Sequence, residues 1–421
     1  MSSFLVAGFG HKKILSGELP VNGAKNSVLK AQAASLLFRE SVLLQNTPFI
    51  EDVFRMNDVL ESLGVSIDQV EKKSFRFDLP NEIGSDLNND IAKKFRASIV
   101  LSGPILARTG RVSFPHPGGC LIGKRPIDVF LEAYQKMGAK IKIHKDSFLL
   151  EANRLQGADI FFKLPSVTAT ETLMMAAVLA KGVTILYNCA CEPEVVCLAE
   201  FLNSSGANIK GAGTHTIIIR GTGLLKNGVF NAPPDRIEAG SFAVVAALCG
   251  KKIKVTNCDP SHMMAVTHSL KNMGVAVEVG KNFLLIKAPS KIRPIDLKTR
   301  EYPGFPTDLQ APFSIILTQA EGQSTIFETI FEGRLSYLND LERMGAEIVL
   351  CDPHRAIING PTQLRGREME SPDLRAGLAF LIAGLIAKGN SVVHNAYNID
   401  RGYEKIENRL NAVGAEIKRV D

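Results

Sequence analysis

ESLGVSI, at residues 61–67, is the first of six copies of one pattern: a helix end, then Gly, then Val or Ala, any residue, and a β-branched residue. A Gly that ends an amphipathic helix ahead of such a residue is typical of a left-handed cap leading into a strand. The copies lie about 70 residues apart, which predicts six structural repeats. The other copies are QKMGAKI (135–141), NSSGANI (203–209), KNMGVAV (271–277), ERMGAEI (342–348) and NAVGAEI (411–417).

Two further signals recur with this period. Shortly before five of the six glycines, an apolar strand ends in a polar residue: Asn46, Asn188, Asn257, Glu328 or Asn395. Six other sequences predict the start of a mostly apolar, buried helix, and most of them begin with Pro, which is well tolerated in a first turn. They are GAKN at 23, FRAS at 95, PSVTAT at 165, PDRIEAG at 234, PTDLQ at 306 and PDLRAG at 372.

Each repeat is therefore predicted to contain two helices and several short strands. Because a solenoid needs a polar cap at each end, two closed groups of three repeats fit the pattern better, with a link near residues 231–234. We expect two similar α+β domains with a cleft between them. Helix N-termini that converge on such a cleft would bind an anionic ligand, because they carry partial positive charge and unpaired N–H groups.

The composition excludes several classes of function. Apolar residues make up 45% and charged residues 22%, as in soluble globular proteins, and the net charge of +6 is too small to indicate a nucleic-acid partner. No apolar run reaches the roughly 18 to 20 residues that span a membrane, and the N-terminus does not resemble a signal peptide. The seven cysteines include no C-x-x-C pair, and the histidines show no metal-ligand spacing. We expect a cytoplasmic protein with reduced thiols that uses no metal, no nucleic acid and no membrane.

Residues 91–127 are the strongest local anomaly, because they contain seven Lys or Arg residues and no Asp or Glu. Within them, GRVSFPHPGGCLIGKRP (110–126) is rich in Gly and Pro and predicts a loop. This loop places Cys120 among cations and backbone amides, a setting that favours the thiolate. Cys120 is either a surface cysteine on a basic loop or a thiol that acts on an anionic substrate. The coincidence of thiol, glycines and cations favours the second interpretation.

Several charged or polar residues near helix starts have two interpretations each. Lys25 and Asn26 begin a predicted helix, where a cation opposes the helix dipole unless an anion lies nearby, and where Asn26 alone would be interpreted as a cap. Asp308 follows two prolines and is either a first-turn carboxylate or a rigidly held general base. Four arginines lie beside helix starts or loop glycines and are either solvated or anion-binding: Arg236, Arg334, Arg375 and Arg401.

Eight motifs occur in one order along the chain: GAKN at 23, RASI at 96, PGGC-x-IG-x-RP-x-D at 117–128, PSV at 165, PDRIEAG at 234, PGFPTD at 303, DLRA at 373 and DRGYE at 400. From about residue 10 to the C-terminus, this ordered set resembles the UDP-N-acetylglucosamine 1-carboxyvinyltransferases, a family of enolpyruvyl transferases. The resemblance implies a mixed fold class (α+β/α/β): two inside-out, barrel-like α/β domains, each of three repeated units, with an interdomain cleft. It implies domain bounds of 23–232 for the domain with the Cys120 loop, and of 1–22 plus 233–421 for the second domain.

The resemblance also implies a reaction. Enzymes of this family transfer the enolpyruvyl group of phosphoenolpyruvate to the 3-hydroxyl of UDP-N-acetylglucosamine and release phosphate, by addition and then elimination, in the first committed step of peptidoglycan synthesis. No metal or organic cofactor is required. Cys120 matches the general acid, which is also the residue that fosfomycin alkylates, and Asp308 matches the general base. Lys25 completes the catalytic set.

The family's binding residues carry over to two sets of positions here. The positions that match contacts to phosphoenolpyruvate are Lys25, Asn26, Arg125, Arg334, Arg375 and Arg401. The positions that match contacts to the UDP-sugar are Arg96, Arg125, Pro126, Ile127, Asp128, Val129, Ser166, Val167, Asp308 and Ile330.

The sequence departs from the family pattern at several positions. Thr168 replaces a Gly, Phe130 a His, and Gly333 the Asn of FENR, while Lys30 stands where Pro is common and residues 394–398 are altered. Several of these changes lie on the acceptor side. Two different functions therefore stay open: a paralogous enolpyruvyl transferase for another nucleotide or sugar, and a non-catalytic protein that binds the sugar nucleotide.

Two more distant functions fit the sequence less well. The shikimate-pathway relative lacks the PGGC loop, and an RNA-end-processing protein would need a nucleophilic His motif. The presence of Cys120, Asp308 and Lys25 argues against a catalytically dead homologue.

Overall fold

The structure, a computed structural model, describes residues 2–10, 12, 14–87, 96–116 and 127–420, with the backbone alone at residues 96 and 97. The described residues divide into two units by their internal contacts. Of the described residues, 23–87, 96–116 and 127–233 form one unit, and 2–10, 12, 14–22 and 234–420 form the other. Each unit has its own hydrophobic core.

The helices and strands follow the predicted repeat. The α-helices are α1 (Lys25–Ala34), α2 (Glu51–Ser62), α3 (Ser102–Thr109), α4 (Asp128–Lys136), α5 (Val167–Val178), α6 (Pro193–Ser204), α7 (Arg236–Cys249), α8 (Met264–Asn272), α9 (Gln310–Leu317), α10 (Leu338–Arg343), α11 (Leu374–Ile386), α12 (Tyr397–Asp400) and α13 (Ile406–Asn411). The 3-10 helices are Ser35–Leu37, Arg96–Leu101, Pro260–Met263 and Thr307–Leu309.

The strands are short, and their bounds in chain order are β1 (Ser3–Phe9), β2 (Leu15–Pro20), β3 (Ser41–Gln45), β4 (Ser66–Glu71), β5 (Ser74–Asp78), β6 (Arg111–Pro115), β7 (Lys140–Ile143), β8 (Ser147–Glu151), β9 (Asp159–Phe161), β10 (Val183–Tyr187), β11 (Asn208–Lys210), β12 (Thr216–Arg220), β13 (Gly228–Asn231), β14 (Gly250–Thr256), β15 (Ala276–Val279), β16 (Phe283–Lys287), β17 (Asp296–Lys298), β18 (Gly322–Phe327), β19 (Glu347–Asp352), β20 (Arg355–Gly360), β21 (Glu368–Glu370), β22 (Lys388–His394) and β23 (Ile417–Val420).

Within its described residues, each unit has three sheets. The strand orders are β13-β3-β5-β4, β6-β8-β7 and β11-β12-β10-β9 in one unit, and β21-β22-β1-β23, β15-β16-β14-β2 and β17-β18-β20-β19 in the other. Strand β1 pairs antiparallel with β22, opposing Phe4 to Val393, and β2 pairs parallel with β14, opposing Leu19 to Val255. The first two strands of the chain therefore belong to the unit that contains residues 234–420.

The interior of the second unit is formed by α7, α9 and α11, which pack against one another. In α11 every residue from Arg375 to Ile386 is buried, and in α7 every residue from Ile237 to Cys249. A helix that is apolar on all sides belongs inside a fold, so the sheets form the outer layer. The predicted inside-out fold class is confirmed.

The six repeated glycines have the predicted left-handed conformation, with φ between 88° and 105°. The residue that follows the strand shares this conformation in four repeats, with φ of 54° at Asn46, 57° at Asn188, 53° at Asn257 and 59° at Asn395. Asn adopts it more readily than most residues that have a side chain. The local caps that define the repeat are thus confirmed.

Substitution of one cap glycine tests this conformation. Gly206→Ala, two residues beyond α6, should lower the free energy of unfolding by about 1 kcal/mol, because an L-residue is strained at positive φ. A Cβ atom there would lie 3.9 Å from Leu225, so crowding contributes little. Gly223→Ala is the control, since a Cβ atom at Gly223 meets nothing within 4 Å. Urea unfolding that gives the same free energy for both variants would contradict the prediction.

Two helices have a proline in their first turn, which limits how early each helix can begin. Pro104 in α3 and Pro312 in α9 are each the third residue of the helix, and each helix follows a 3-10 segment. A longer α-helix would force the Pro312 ring against the carbonyl of Asp308, four residues earlier. Asp308 therefore lies in the 3-10 segment Thr307–Leu309.

Among the described residues, no helix combines the length and the apolar character that are needed to cross a bilayer.

Candidate active site

The carboxylate of Asp308 lies between two buried guanidinium groups. Nη2 of Arg334 donates to Oδ1 at 2.9 Å, and Nε and Nη2 of Arg375 lie 3.1 and 3.0 Å from Oδ2. Both arginines are 4% exposed, whereas the Asp308 side chain is 30% exposed. The carboxylate is thus held rigidly by two cations, and its exposed part leaves room for the hydroxyl group whose proton a general base would accept.

One N–H group of Arg334 is not used in its contact with Asp308. Its Nη1 is buried and has no hydrogen-bond partner within the described part of the chain. Its guanidinium lies 5.5 Å from the centre of the Phe331 ring. Since buried donors are almost always paired, this atom indicates a place for an anionic ligand.

Arg375 is held in place from several sides. Its backbone N–H donates to the N-cap carboxylate of Asp373 at 2.7 Å, and its Nη1 donates to the hydroxyl of Tyr403 at 2.9 Å. Burial acts to lower the pKa of Arg375, but Tyr403, Asp308 and Asp235 outweigh it and raise the pKa above its ordinary value. Arg375 is therefore a permanent, fixed cation. Asp373 thus caps α11, and the interpretation of Arg375 as a solvated residue is wrong, because α11 buries it.

Arg236 and Arg401 occupy different surroundings in the same unit. Asp235 caps α7 by accepting from the N–H groups of Ile237 and Glu238, and the Arg236 guanidinium lies 5.6 Å from the ring centre of Tyr302. Arg401 follows α12 and is half-buried.

In the other unit, Lys25 forms an ion pair with Asp52. Nζ of Lys25 lies 2.5 Å from Oδ2 of Asp52, and the side chains are 9% and 3% exposed. The anion that offsets the helix dipole at Lys25 is thus the carboxylate of α2. Asn26 lies within the first turn, and Ala24 is the N-cap residue, so the interpretation of Asn26 as a cap is wrong.

A second buried ion pair fixes the same helix to α5. Nζ of Lys30 lies 2.8 Å from Oε2 of Glu171, whose side chain is fully buried. Burial raises the pKa of Glu171 to about 7. The charge of Lys30 acts to lower this pKa, whereas the charges of Glu194 and Glu192 act to raise it further. This contact explains why Lys30 stands at a position where Pro is common in the family.

Five of the positions matched to the UDP-sugar lie at the starts of two helices. Ser166 caps α5, with its hydroxyl accepting from the N–H of Ala169 at 3.3 Å, and Val167 begins that helix. Ile127 is the N-cap of α4, which packs against α5. Asp128 and Val129 form the first turn of α4.

The remaining positions matched to the ligands are described in part. Ile330 lies in the loop after β18, and its N–H donates to Oε1 of Glu328 at 2.9 Å. Arg96 begins the 3-10 helix Arg96–Leu101, and its side chain lies outside the described part of the chain. Three positions lie entirely outside the described residues: Cys120, Arg125 and Pro126.

Three residues that hold candidate site residues of their own unit in place were not assigned that role from the sequence. Asp52 and Tyr403 look like an ordinary helix residue and a buried aromatic, and nothing local marks them as partners of Lys25 and Arg375. Glu328 is different, because the sequence already shows Glu at a position where four other repeats have Asn.

Comparisons with known proteins agree on one family. A family model described as EPSP synthase (3-phosphoshikimate 1-carboxyvinyltransferase) matches residues 10–410. UDP-N-acetylglucosamine 1-carboxyvinyltransferase 2 of Clostridium tetani is 43% identical over 409 residues, which cover 97% of this chain and 98% of the relative. UDP-N-acetylglucosamine 1-carboxyvinyltransferase of Desulforapulum autotrophicum is 41% identical over 97% of this chain and 98% of its own length.

Solved structures share the fold at lower identity. The enolpyruvyl transferase NikO from Streptomyces tendae superposes with a TM-score of 0.89 at 22% identity, covering 100% of this chain and 99% of that chain. EPSP synthase from Acinetobacter baumannii gives a TM-score of 0.74 at 18% identity and covers both chains completely. The predicted resemblance is confirmed: the chain belongs to the enolpyruvyl transferase family that the EPSP synthase model describes, together with the UDP-N-acetylglucosamine 1-carboxyvinyltransferases.

Proposed function

We propose that this protein transfers the enolpyruvyl group of phosphoenolpyruvate to the 3-hydroxyl of UDP-N-acetylglucosamine with release of phosphate, in the cytoplasm, as the first committed step of peptidoglycan synthesis. The names of the relatives, at more than 40% identity over nearly the whole chain, support the reaction. The observation that carries it is the Asp308 carboxylate between Arg334 and Arg375, with one buried N–H group of Arg334 that has no partner among the described residues. The predicted domains, 23–232 and 1–22 plus 233–421, belong to this proposal and are supported by the two units of the fold.

In the addition step, the thiol of Cys120 gives a proton to the methylene carbon of phosphoenolpyruvate. The sugar hydroxyl oxygen bonds to the adjacent carbon while Asp308 accepts the hydroxyl proton. Elimination then breaks the C–O bond to phosphate, which leaves with the proton held by Asp308, while the Cys120 thiolate takes back a proton from the new methyl group and the double bond is restored. Fixed cations stabilise the anions and cost no reorganisation during the reaction.

Two sets of residues bind the substrates in this proposal. Phosphoenolpyruvate contacts Lys25, Asn26, Arg125, Arg334, Arg375 and Arg401. The UDP-sugar contacts Arg96, Arg125, Pro126, Ile127, Asp128, Val129, Ser166, Val167, Asp308 and Ile330. The burial of Arg334 and Arg375 supports their part, because a desolvated cation binds an anion more strongly than an exposed one.

Product analysis tests the function. The protein is incubated with phosphoenolpyruvate and UDP-N-acetylglucosamine, each alone and together, while phosphate release is measured. Release should require both substrates, and mass spectrometry should show that the sugar nucleotide gains an enolpyruvyl group. Release with a different acceptor alone would contradict the assigned acceptor and retain the reaction class, and absence of release with any acceptor would contradict the transferase.

The proposed thiol predicts a covalent adduct. Incubation with fosfomycin should add the mass of one inhibitor molecule to the wild-type protein and nothing to Cys120→Ser, because the hydroxyl is a far weaker nucleophile than the thiolate. Cys191→Ser is the matched control, since Cys191 is a partly exposed cysteine of the same chain and should leave the adduct intact. An adduct that survives in Cys120→Ser would contradict the role of this residue.

A further inference from the structure

Glu328 departs from a pattern of hydrogen bonds that is found in other repeats. In three of them, the Asn that follows the strand donates through its side-chain amide to the carbonyl of the residue after the neighbouring parallel strand. These bonds join Asn46 to Ala232 at 2.9 Å, Asn188 to Phe162 at 2.8 Å and Asn257 to Val21 at 2.6 Å. The equivalent neighbour of Glu328 is Thr299, which follows β17.

The Glu328 carboxylate accepts hydrogen bonds at the place where the Asn side chains of other repeats donate them. Glu328 is fully buried, and a buried carboxylate can only accept, so donors must surround it. Its Oε1 accepts from the Thr299 hydroxyl at 3.1 Å and from the N–H groups of Ile330 at 2.9 Å and Phe331 at 3.2 Å. Its Oε2 accepts from the Thr307 hydroxyl at 2.9 Å.

Three of these donors, those of Thr307, Ile330 and Phe331, lie in the two segments that carry the candidate base and its cation. Thr307 directly precedes Asp308, while Phe331 precedes Arg334 by one turn and lies under its guanidinium. One side chain thus joins two segments whose functional groups meet at 2.9 Å. The backbone of Glu328 is held as well, since its N–H donates to the carbonyl of His354 at 2.8 Å.

We propose that Glu328 is a positioning residue that sets the contact between Asp308 and Arg334. The expected effect on kcat rests on the proposed function, whereas the expected effect on the distance between Asp308 and Arg334 rests only on the described contacts. The comparison between repeats explains why Glu stands here instead of Asn. An Asn side chain could bond to the end of the neighbouring strand, as it does in three other repeats. It has only one acceptor oxygen, however, which is too few to bond to both the Thr307 and the Phe331 segments.

Two variants with a matched control test the role. Glu328→Gln retains the size of the side chain and replaces one acceptor by a donor, so one of the two segments loses its bond. We expect kcat to fall at least tenfold, and by a larger factor than either KM changes, because the base is misplaced while the other residues of both binding sets keep their places. Asn257→Ala, at the equivalent place of another repeat in the same unit, should lower the melting temperature and leave kcat within about twofold of the wild type.

A double-mutant cycle adds a second measurement. Thr307→Val removes one of the four donors, and the combined variant should lose no more kcat than the worse single variant, because both act through one contact. Additive losses, or a Glu328→Gln variant that loses no more kcat than Asn257→Ala, would overturn the inference.

A crystal structure of Glu328→Gln gives a result that is independent of the reaction. The Asp308 carboxylate and the Arg334 guanidinium should lie beyond hydrogen-bond distance, and an unchanged separation near 2.9 Å would also overturn the inference. Failure of the proposed function is seen separately, as absence of product with the wild-type protein.

Discussion

Asp308→Asn should lower kcat by about 10²–10⁴-fold, the contribution typical of a general base. The amide retains the shape of the carboxylate but cannot accept the hydroxyl proton of the acceptor. The KM for phosphoenolpyruvate should stay the same or fall, because Arg334 and Arg375 lose their carboxylate partner and become more available to the ligand. Steady-state kinetics with each substrate varied in turn measure both effects.

The control for Asp308 is an aspartate of the same unit with an ordinary ion pair. Asp340 lies 3.2 Å from Arg343, which is largely exposed, and Asp340→Asn should leave both kinetic constants unchanged. A raised KM for phosphoenolpyruvate with an unchanged kcat in Asp308→Asn would mean that this carboxylate only orders the binding arginines.

Lys25→Met should lower kcat/KM for phosphoenolpyruvate by about 10²–10³-fold, as expected when one fixed donor to a developing or bound anion is removed. It should also lower the free energy of unfolding by about 3 kcal/mol, because Asp52 loses its lysine partner while it stays buried. The double variant with Asp52→Asn should recover part of this stability and none of the activity. Chemical unfolding and phosphate-release kinetics separate the two effects.

Lys30 is the matched control, because it lies on the same helix and pairs with another buried carboxylate, that of Glu171. Lys30→Met should destabilise the protein to a similar extent while the folded enzyme turns over within a few-fold of the wild-type rate. Equal losses of activity in Lys25→Met and Lys30→Met, after correction for the folded fraction, would mean that Lys25 has a structural role only.

Some features could be predicted because they depend on residues close together in the chain. The glycines of the repeat are visible because a left-handed cap strongly favours Gly, and the buried helices are visible because they are apolar on every side. The caps of α7 and α11 were predictable for the same reason, since Asp235 and Asp373 bond to N–H groups two and three residues ahead. The ordered motifs then identified the family.

The contacts between distant parts of the chain could not be predicted in this way. Asp308 meets Arg334 and Arg375 across 26 and 67 residues, and Arg375 meets Tyr403 only because α11 and the segment after α12 pack together. An arginine beside a helix cap looks the same in sequence whether it is solvated or buried, and the outcome follows from which face of the helix the core covers.

The sequence by itself therefore determined the sixfold repeat, its caps, its central helices and the family of this protein, because these features follow from backbone geometry and hydrophobic periodicity over a few residues. Only the tertiary structure decided which carboxylate faces which cation: Lys25 to Asp52, Lys30 to Glu171, and Asp308 to two arginines. Those pairs depend on sheet register and on the packing of helices that lie far apart in the chain. Burial of at least one group in each pair then keeps the two charged side chains together, because that group cannot exchange its partner for water.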